Sequence, residues 1–124
     1  MSKNILDQAL RDAADAHVAW KRRLDDAVAS GKHDLQVADV RRDDNCAFGK
    51  FLYSDEIDAE TRQGKPYQVI RRLHAEFHET AANVLHLVAL SRREEASQVM
   101  TDEYKTRSEK LMRGLSKWRD ELKR

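Results

Sequence analysis

The sequence predicts an all-α protein, a four-helix bundle that includes one short helix carrying a cysteine. Three observations support this. The 124 residues are 36% charged and 40% hydrophobic, with only four glycines and one proline. Apolar residues recur in alternating steps of three and four along three long segments. The length suits one domain, residues 1–124, whose core needs no disulfide, and a helical bundle is the natural way to bury such stripes.

The first helix is expected to begin at Ser2 or Asn4 and to end near Ser30 and Gly31, because glycine is a common C-terminal signal. Its apolar stripe holds His17 where an aliphatic residue would be expected. The stripe consists of Leu6, Leu10, Ala13, His17, Trp20, Leu24 and Ala27 or Val28.

The next part of the chain is less regular. Residues 31 to about 42 show no sustained helical period, so we expect a connection in which His33 is solvated and binds no metal. Residues 43–45 resemble an N-cap cluster for a short helix that carries Cys46. The apolar residues of that helix are Phe48, Phe51 and Leu52. A further turn or two is expected between residues 54 and 64.

Two long helices complete the chain. Pro66 stands where proline is favoured, in the first turn of a central helix that runs from residue 67 to about residue 90. Ser91 and Glu94 fit a capping box for a last helix from about residue 92 to residue 122. The central stripe is Ile70, Leu73, Phe77, Ala81, Val84, Leu85 and Val88, and the last is Tyr104, Ser108, Leu111, Leu115, Trp118 and Leu122.

Two histidines four residues apart lie within the central stripe. At this spacing the rings of His74 and His78 lie one turn apart on the same side of the helix, whereas His86 is rotated away from them. Together with His17 and Cys46 they offer three imidazoles and one thiolate, a set that fits closed tetrahedral Zn²⁺. Spacing alone leaves another interpretation open, in which the histidines are hydrogen-bonded core residues and the cysteine is inert packing.

Three short segments resemble the chemoreceptor zinc-binding (CZB) domain. They are residues 15–20, Asp-Ala-His-Val-Ala-Trp, residues 46–52, Cys-Ala-Phe-Gly-Lys-Phe-Leu, and residues 74–78, His-Ala-Glu-Phe-His. The resemblance spans roughly residues 10 to 90, with Phe51 where a tryptophan is frequent in the family. It implies zinc binding within a helical bundle, with the metal ligands His17, Cys46, His74 and His78.

The resemblance also implies a regulatory role in bacterial signalling. Family members commonly form homodimers and lie at an end of chemoreceptors or diguanylate cyclases, so a partner of the chemotaxis or cyclic-di-GMP type is expected. The signal would be zinc availability, or oxidation of Cys46 by an oxidant such as hypochlorous acid, because a metal-bound thiolate is the oxidisable form. The alternative is an interaction module or zinc buffer whose metal is purely structural.

The surroundings of the cysteine allow two interpretations. Gly49 would permit close approach of the short helix to a neighbour, or it merely ends that helix. Trp20 and Phe77 would exclude water from a metal, or they are plain core aromatics. Most nearby carboxylates are expected to be solvated, although some could accept hydrogen bonds from the imidazoles. These are Asp15, Asp43, Asp44, Glu76 and Glu79.

Several classes of function are not expected. The net charge is +1 and the basic pairs are interleaved with acidic residues, so no nucleic-acid partner is predicted. No apolar run approaches the roughly 20 residues of a membrane span. A single cysteine and the absence of an apolar leader favour the cytoplasm. An enzyme is not expected either, because zinc peptidases need glutamate where Ala75 stands, and no Glu-x-x-His spacing for a di-iron site occurs.

Overall fold

The computed structural model describes residues 2–123, and every regular element among them is helical. The helices are α1 (Lys3–Ser30), α2 (Val37–Arg41), α3 (Ala47–Leu52), α4 (Ala59–Gln63), α5 (Lys65–Ala89), α6 (Arg93–Val99) and α7 (Lys105–Leu122). A π-helical turn, Met100–Tyr104, joins α6 and α7 into one continuous helix. The all-α prediction is confirmed, and the short helix begins directly after Cys46, which is its N-cap.

Both ends of α1 follow the local signals in the sequence. The Ser2 hydroxyl accepts hydrogen bonds from the backbone N–H groups of Asn4 and Ile5. At the other end Gly31 has a φ of 76°, a left-handed conformation that glycine adopts without steric cost, and its N–H donates to the Ala27 carbonyl. The caps satisfy backbone groups at the two ends of α1, and packing against α5 and α7 buries the apolar stripe that includes His17.

The expectation of an irregular connection after α1 is wrong at residues 37–41, which form α2. A five-residue helix is too short to show a period, and only Val40 in it is buried. His33 is half-buried rather than solvated. Its Nδ1 accepts from the Leu35 N–H at 3.1 Å and its Nε2–H donates to the Leu85 carbonyl at 2.8 Å. The histidine thus fastens the connection to α5.

The predicted capping box at the start of the last helix is also wrong. Ser91 has a φ of 62° and closes α5, where the Arg92 N–H donates to the Leu87 carbonyl at 2.8 Å. Because the backbone of Ser91 is used to end one helix, its side chain does not cap the next. Arg92 is the N-cap of α6 and makes no side-chain capping bond.

Helix α5 lies at the centre of the fold and packs against α1, α2, α4, α6 and α7. Helix α3 packs against α1, so the residue that precedes α3 comes close to the interface between α1 and α5. The core is formed mainly by the predicted stripes, including Leu10, Leu24, Phe77, Leu85 and Leu115. Within residues 2–123 no helix is both long enough and apolar enough to cross a membrane.

Candidate metal centre

Three of the predicted ligands meet at one point in the structure. The Cys46 Sγ lies 3.4 Å from the Nε2 atoms of both His74 and His78. Those two nitrogens are 3.1 Å apart. Around a tetrahedral Zn²⁺ two imidazole nitrogens would be about 3.4 Å apart, and a nitrogen and a sulfur about 3.6 Å apart. The three atoms therefore already lie close to three corners of a zinc tetrahedron.

The backbone of α2 sets the tautomer of His78. The Nδ1–H of this residue donates to the Val40 carbonyl at 2.8 Å. Its Nε2 consequently carries the lone pair that faces Cys46 and His74. An oriented imidazole of this kind is the usual arrangement for a metal ligand, because the second nitrogen is held by an acceptor.

Burial keeps both imidazoles of α5 in the neutral form that can bind a cation. Burial, together with the nearby His78, lowers the pKa of His74 to about 3. Burial also lowers the pKa of His78, although the bond to Val40 opposes this. The Nδ1 of His74 is buried and has no partner among the described residues. The donor set of two imidazoles and one thiol suits zinc better than magnesium or calcium.

The half-buried Cys46 is the most accessible member of the cluster. Its Sγ accepts a hydrogen bond from the Gly49 N–H at 3.3 Å. Burial raises the pKa of the Cys46 thiol, while this bond and neighbouring backbone N–H groups oppose the shift. The thiol is therefore protonated at neutral pH in the absence of a metal, and a bound cation would stabilise the thiolate.

Gly49 is required where α3 meets the turn before it. A Cβ at this position would lie 1.7 Å from the Asp43 carbonyl oxygen and 3.0 Å from the Asp44 Cα. The close-approach interpretation of this glycine is thus confirmed. The contact holds α3 against residues 43–44 and places the Gly49 N–H next to the sulfur.

His17 lies beside the cluster but outside the group of donor atoms within 4.8 Å of one another. It is 6% exposed, and its Nε2 is 2.5 Å from the Ser108 Oγ. Its Nδ1 is buried without a partner in the described part of the chain. Burial lowers the pKa of His17 to about 4, so this imidazole is also neutral.

A cavity of about 270 Å³ connects His17 with the other three residues. Apolar side chains form most of its wall, including Phe48, Phe77 and Leu111. The exposed Asp12 also lines it, so the cavity reaches the surface. The rest of the wall includes Ala9, Ala13, Ala16, Trp20, Ala47, Phe51 and Leu115. Small molecules in solution can therefore approach the cluster.

The aromatic residues Trp20 and Phe77 fit both roles considered from the sequence, core packing and exclusion of water from a metal. Phe77 is 2% exposed, and its ring centroid lies 4.5 Å from that of His17 and 5.6 Å from that of His78. Trp20 meets the His78 ring edge-on at 6.4 Å and stays half-buried. Both are core residues, and both keep one side of the imidazoles apolar.

The carboxylates proposed from sequence as hydrogen-bond acceptors do not reach the imidazoles within residues 2–123. Asp43 instead accepts from the Tyr53 hydroxyl, and Glu79 pairs with Arg41 at 2.5 Å. The acceptor for His78 is the Val40 carbonyl, a backbone group that cannot be predicted from a sequence motif. The partner of His17 is Ser108, whose only sequence signal is a hydroxyl within an apolar stripe. His86 is exposed, in agreement with its exclusion.

Fold and site together define a helical zinc-binding domain. Residues 17–85, more than half of the chain, match the family described as the chemoreceptor zinc-binding domain. The chain therefore belongs to this family, and zinc is the metal that the family and the donor set have in common. No curated protein and no solved structure matches the chain.

Proposed function

We propose that the chain is a regulatory zinc-binding domain in which Cys46 carries the signal. One observation carries the proposal: the Cys46 sulfur lies 3.4 Å from two buried imidazole nitrogens, yet Cys46 itself is half-buried beside an open cavity. A structural ligand would gain nothing from this access. A residue that reacts with molecules in solution needs it.

The proposed ligands are His17, Cys46, His74 and His78. The geometry of the last three supports the assignment directly. His17 completes the set because it lines the same cavity and its Nδ1 is buried without a partner in the described structure, and a tetrahedral site needs a fourth donor. When bound, zinc supplies the positive charge that keeps the cysteine deprotonated. With four protein ligands no corner is left for a reactive water, which is why we propose a regulatory role and not an enzyme.

Two signals can act through Cys46. In the first, zinc availability changes the occupancy of the site. In the second, the Cys46 thiolate attacks the chlorine-bearing oxidant hypochlorous acid. An S–O bond forms as the O–Cl bond breaks, so the OH group of the oxidant stays on the sulfur as sulfenic acid. The two electrons that the sulfur loses go to the chlorine, which leaves as chloride. Either event would remove the zinc-mediated link between the Cys46 sulfur and the two imidazoles of α5.

Loss of that link would free α3, which has six residues and packs chiefly on α1. We propose that its movement is relayed to a bacterial signalling protein of the chemoreceptor or diguanylate cyclase type, with the domain acting as a homodimer in the cytoplasm. The description of the family as a chemoreceptor domain supports this assignment. Neither a nucleic acid nor a membrane is part of the proposal.

A second candidate function is an interaction module or zinc buffer with a purely structural ion. It is favoured by the burial of His74 and His78 inside the main core, where their loss would affect the whole fold. The two functions differ on chelation. A structural ion predicts that the helical circular dichroism signal collapses when zinc is removed, whereas the sensor predicts that most helix is retained.

The experiment that tests the proposal measures zinc release under oxidant. Protein purified without added metal should contain one zinc ion per chain and should lose it after addition of hypochlorous acid, with recovery when a thiol reductant and zinc are returned. His78→Ala should contain little zinc, and the matched control His86→Ala, at an exposed position on the same helix, should behave as the unmodified protein. Zinc retained at full occupancy after Cys46 is oxidised would overturn the redox proposal.

A further inference from the structure

Ser108 is the only polar side chain that bonds His17 in the described structure. It lies on α7, in an otherwise apolar stripe, and its Oγ is 2.5 Å from the His17 Nε2. The residue is half-buried and lies outside residues 17–85, the part of the chain that matches the family. Its contact with the site therefore comes from this structure alone.

The ring of His17 is fixed on several sides. Phe77 on α5 lies 4.5 Å away between ring centroids, and Tyr104 stacks almost parallel to it at 6.2 Å and 8°. These contacts are apolar faces, so they hold the ring without choosing which nitrogen carries the proton. The Ser108 hydroxyl engages Nε2, while Nδ1 has no partner among the described residues, so Nδ1 is the nitrogen left for another ligand.

The neighbouring ligand shows the same arrangement. In His78 one nitrogen donates to the Val40 carbonyl and the other faces the cluster. Histidines that bind metals generally donate their second ring N–H to a nearby acceptor, which fixes the ring and strengthens the bound nitrogen as a base. A serine hydroxyl can accept such a hydrogen bond.

We infer that Ser108 is the positioning residue of the fourth zinc ligand: its Oγ accepts the Nε2–H of His17 and leaves Nδ1 to bind the metal. The inference rests on the proposed function, in which His17 is a ligand. It distinguishes His17 from His74 and His78, whose Nε2 atoms face the site. It also connects the site to α7, and through it to the last part of the chain.

The first test reads the histidine tautomers of the zinc-loaded protein by long-range ¹⁵N–¹H nuclear magnetic resonance. The expected result is a protonated Nε2 and a metal-bound Nδ1 for His17, with the reverse pattern for the two histidines of α5. A metal-bound Nε2 in His17 would overturn the inference while leaving the four-ligand site intact. Bound zinc with no metal-bound nitrogen in His17 would instead refute the proposed ligand set.

The second test compares zinc affinities, measured by competition with a chromophoric chelator. Ser108→Ala should weaken binding by about 10- to 100-fold, the usual cost of losing a hydrogen-bond partner of a metal-bound histidine. Ser108→Thr, which keeps the hydroxyl, should recover most of the affinity. The control is Ser116→Ala, at an exposed position of the same helix, which should leave affinity unchanged.

Two outcomes of the affinity measurement would overturn the inference. Unchanged affinity in Ser108→Ala would show that the serine only fills space. Increased affinity would show that Ser108 competes with the metal for His17. The melting temperature of each metal-free variant is measured alongside, so that an unfolded variant is recognised, and the tautomer measurement on the unmodified protein does not depend on any variant.

Discussion

At the scale of single residues, the site depends on imidazoles that are kept neutral by burial. The pKa of His17 is lowered to about 4 and that of His74 to about 3, from an ordinary value of 6.5. A neutral imidazole offers a lone pair to a cation, and a protonated one does not. The same burial that forms the core thus prepares these residues to bind a metal.

This burial predicts how the stability of the metal-free protein depends on pH. Between pH 6.5 and about 4 the unfolded chain binds protons on His17 and His74 that the folded chain does not. Protonation of these two residues therefore favours the unfolded chain. The free energy of unfolding is highest above pH 6.5 and decreases as the pH falls toward the folded-state pKa values. Melting temperatures measured by circular dichroism should stay level from about pH 7.5 to about pH 6.5 and decrease from there to about pH 5.

The control for this prediction is the exposed His86. His86→Ala should keep the same pH dependence, and a variant with an apolar residue at position 74 should reduce it. A melting temperature that stays level as the metal-free protein is acidified below pH 6.5 would contradict the account of the buried imidazoles.

Tyr104 provides a second test at this scale. Its side chain is 1% exposed and its hydroxyl has no partner within the described residues. A buried hydroxyl without a hydrogen bond costs stability, so Tyr104→Phe should leave the free energy of unfolding unchanged or raise it by about 1 kcal/mol. The matched control is Tyr67→Phe, which removes a buried bond of 2.8 Å to the Leu52 carbonyl and should cost about 1 kcal/mol. Urea denaturation measures both, and a large loss for Tyr104→Phe would show that its hydroxyl has a partner.

At the scale of elements, the short helix α3 delivers the sulfur to α5. Its position is set by the contact between Gly49 and the backbone of residues 43–44, and by the N–H of the same glycine at the sulfur. Helix α2 lies on the opposite side of His78 from Cys46, and its Val40 carbonyl orients the His78 ring. Arg41 fastens α2 to α5 through Glu79 and Asn83. Two short helices thus align the residues that a metal would join.

The role of α3 predicts the effect of a methyl group at its glycine. Gly49→Ala places a Cβ 1.7 Å from the Asp43 oxygen, so α3 must shift and carry Cys46 away from the two imidazoles. Zinc affinity should fall by at least tenfold. The melting temperature of the metal-free protein, which the long helices determine, should change little. Gly114→Ala is the control, because its Cβ would meet side-chain ends and no backbone: the Cδ1 of Ile70 at 2.8 Å and that of Leu73 at 3.4 Å. Equal zinc affinity in the two variants would contradict the positioning role of Gly49.

The long helices and most of the site could be predicted from the sequence. The stripes of α1, α5 and α7 repeat often enough to define a face, and the polar residues His17, His74 and His78 stand out on it. Helix α2 could not be predicted, since its five residues bury only Val40 and show no period. The left-handed conformation of Ser91 was missed as well, because a serine followed three residues later by glutamate is also the pattern of a capping box.

The hydrogen-bond partners of the site were harder to predict for a physical reason. Carboxylates are the acceptors that a sequence displays, whereas the structure uses the carbonyl of Val40, the N–H of Gly49 and the hydroxyl of Ser108. A backbone group has no residue identity, so only the folded chain reveals where it lies. That residues 1–124 form one domain stays a prediction.

At the scale of the whole molecule, the site lies where the short helix α3 meets the long helices α1 and α5. The imidazoles belong to long helices with many core contacts, and the thiol belongs to the start of a six-residue helix. A change at the site would therefore act first on α3 and leave the framework in place. We expect the signal to be a local rearrangement and not unfolding of the bundle.

The most direct test of the central claim is X-ray absorption at the zinc edge of protein purified without added metal. The proposed centre predicts one sulfur at about 2.3 Å and three nitrogens at about 2.0–2.1 Å from the zinc. Cys46→Ser should lose the sulfur contribution. A zinc ion with only nitrogen and oxygen neighbours in the unmodified protein, or protein that takes up no zinc, would contradict the account.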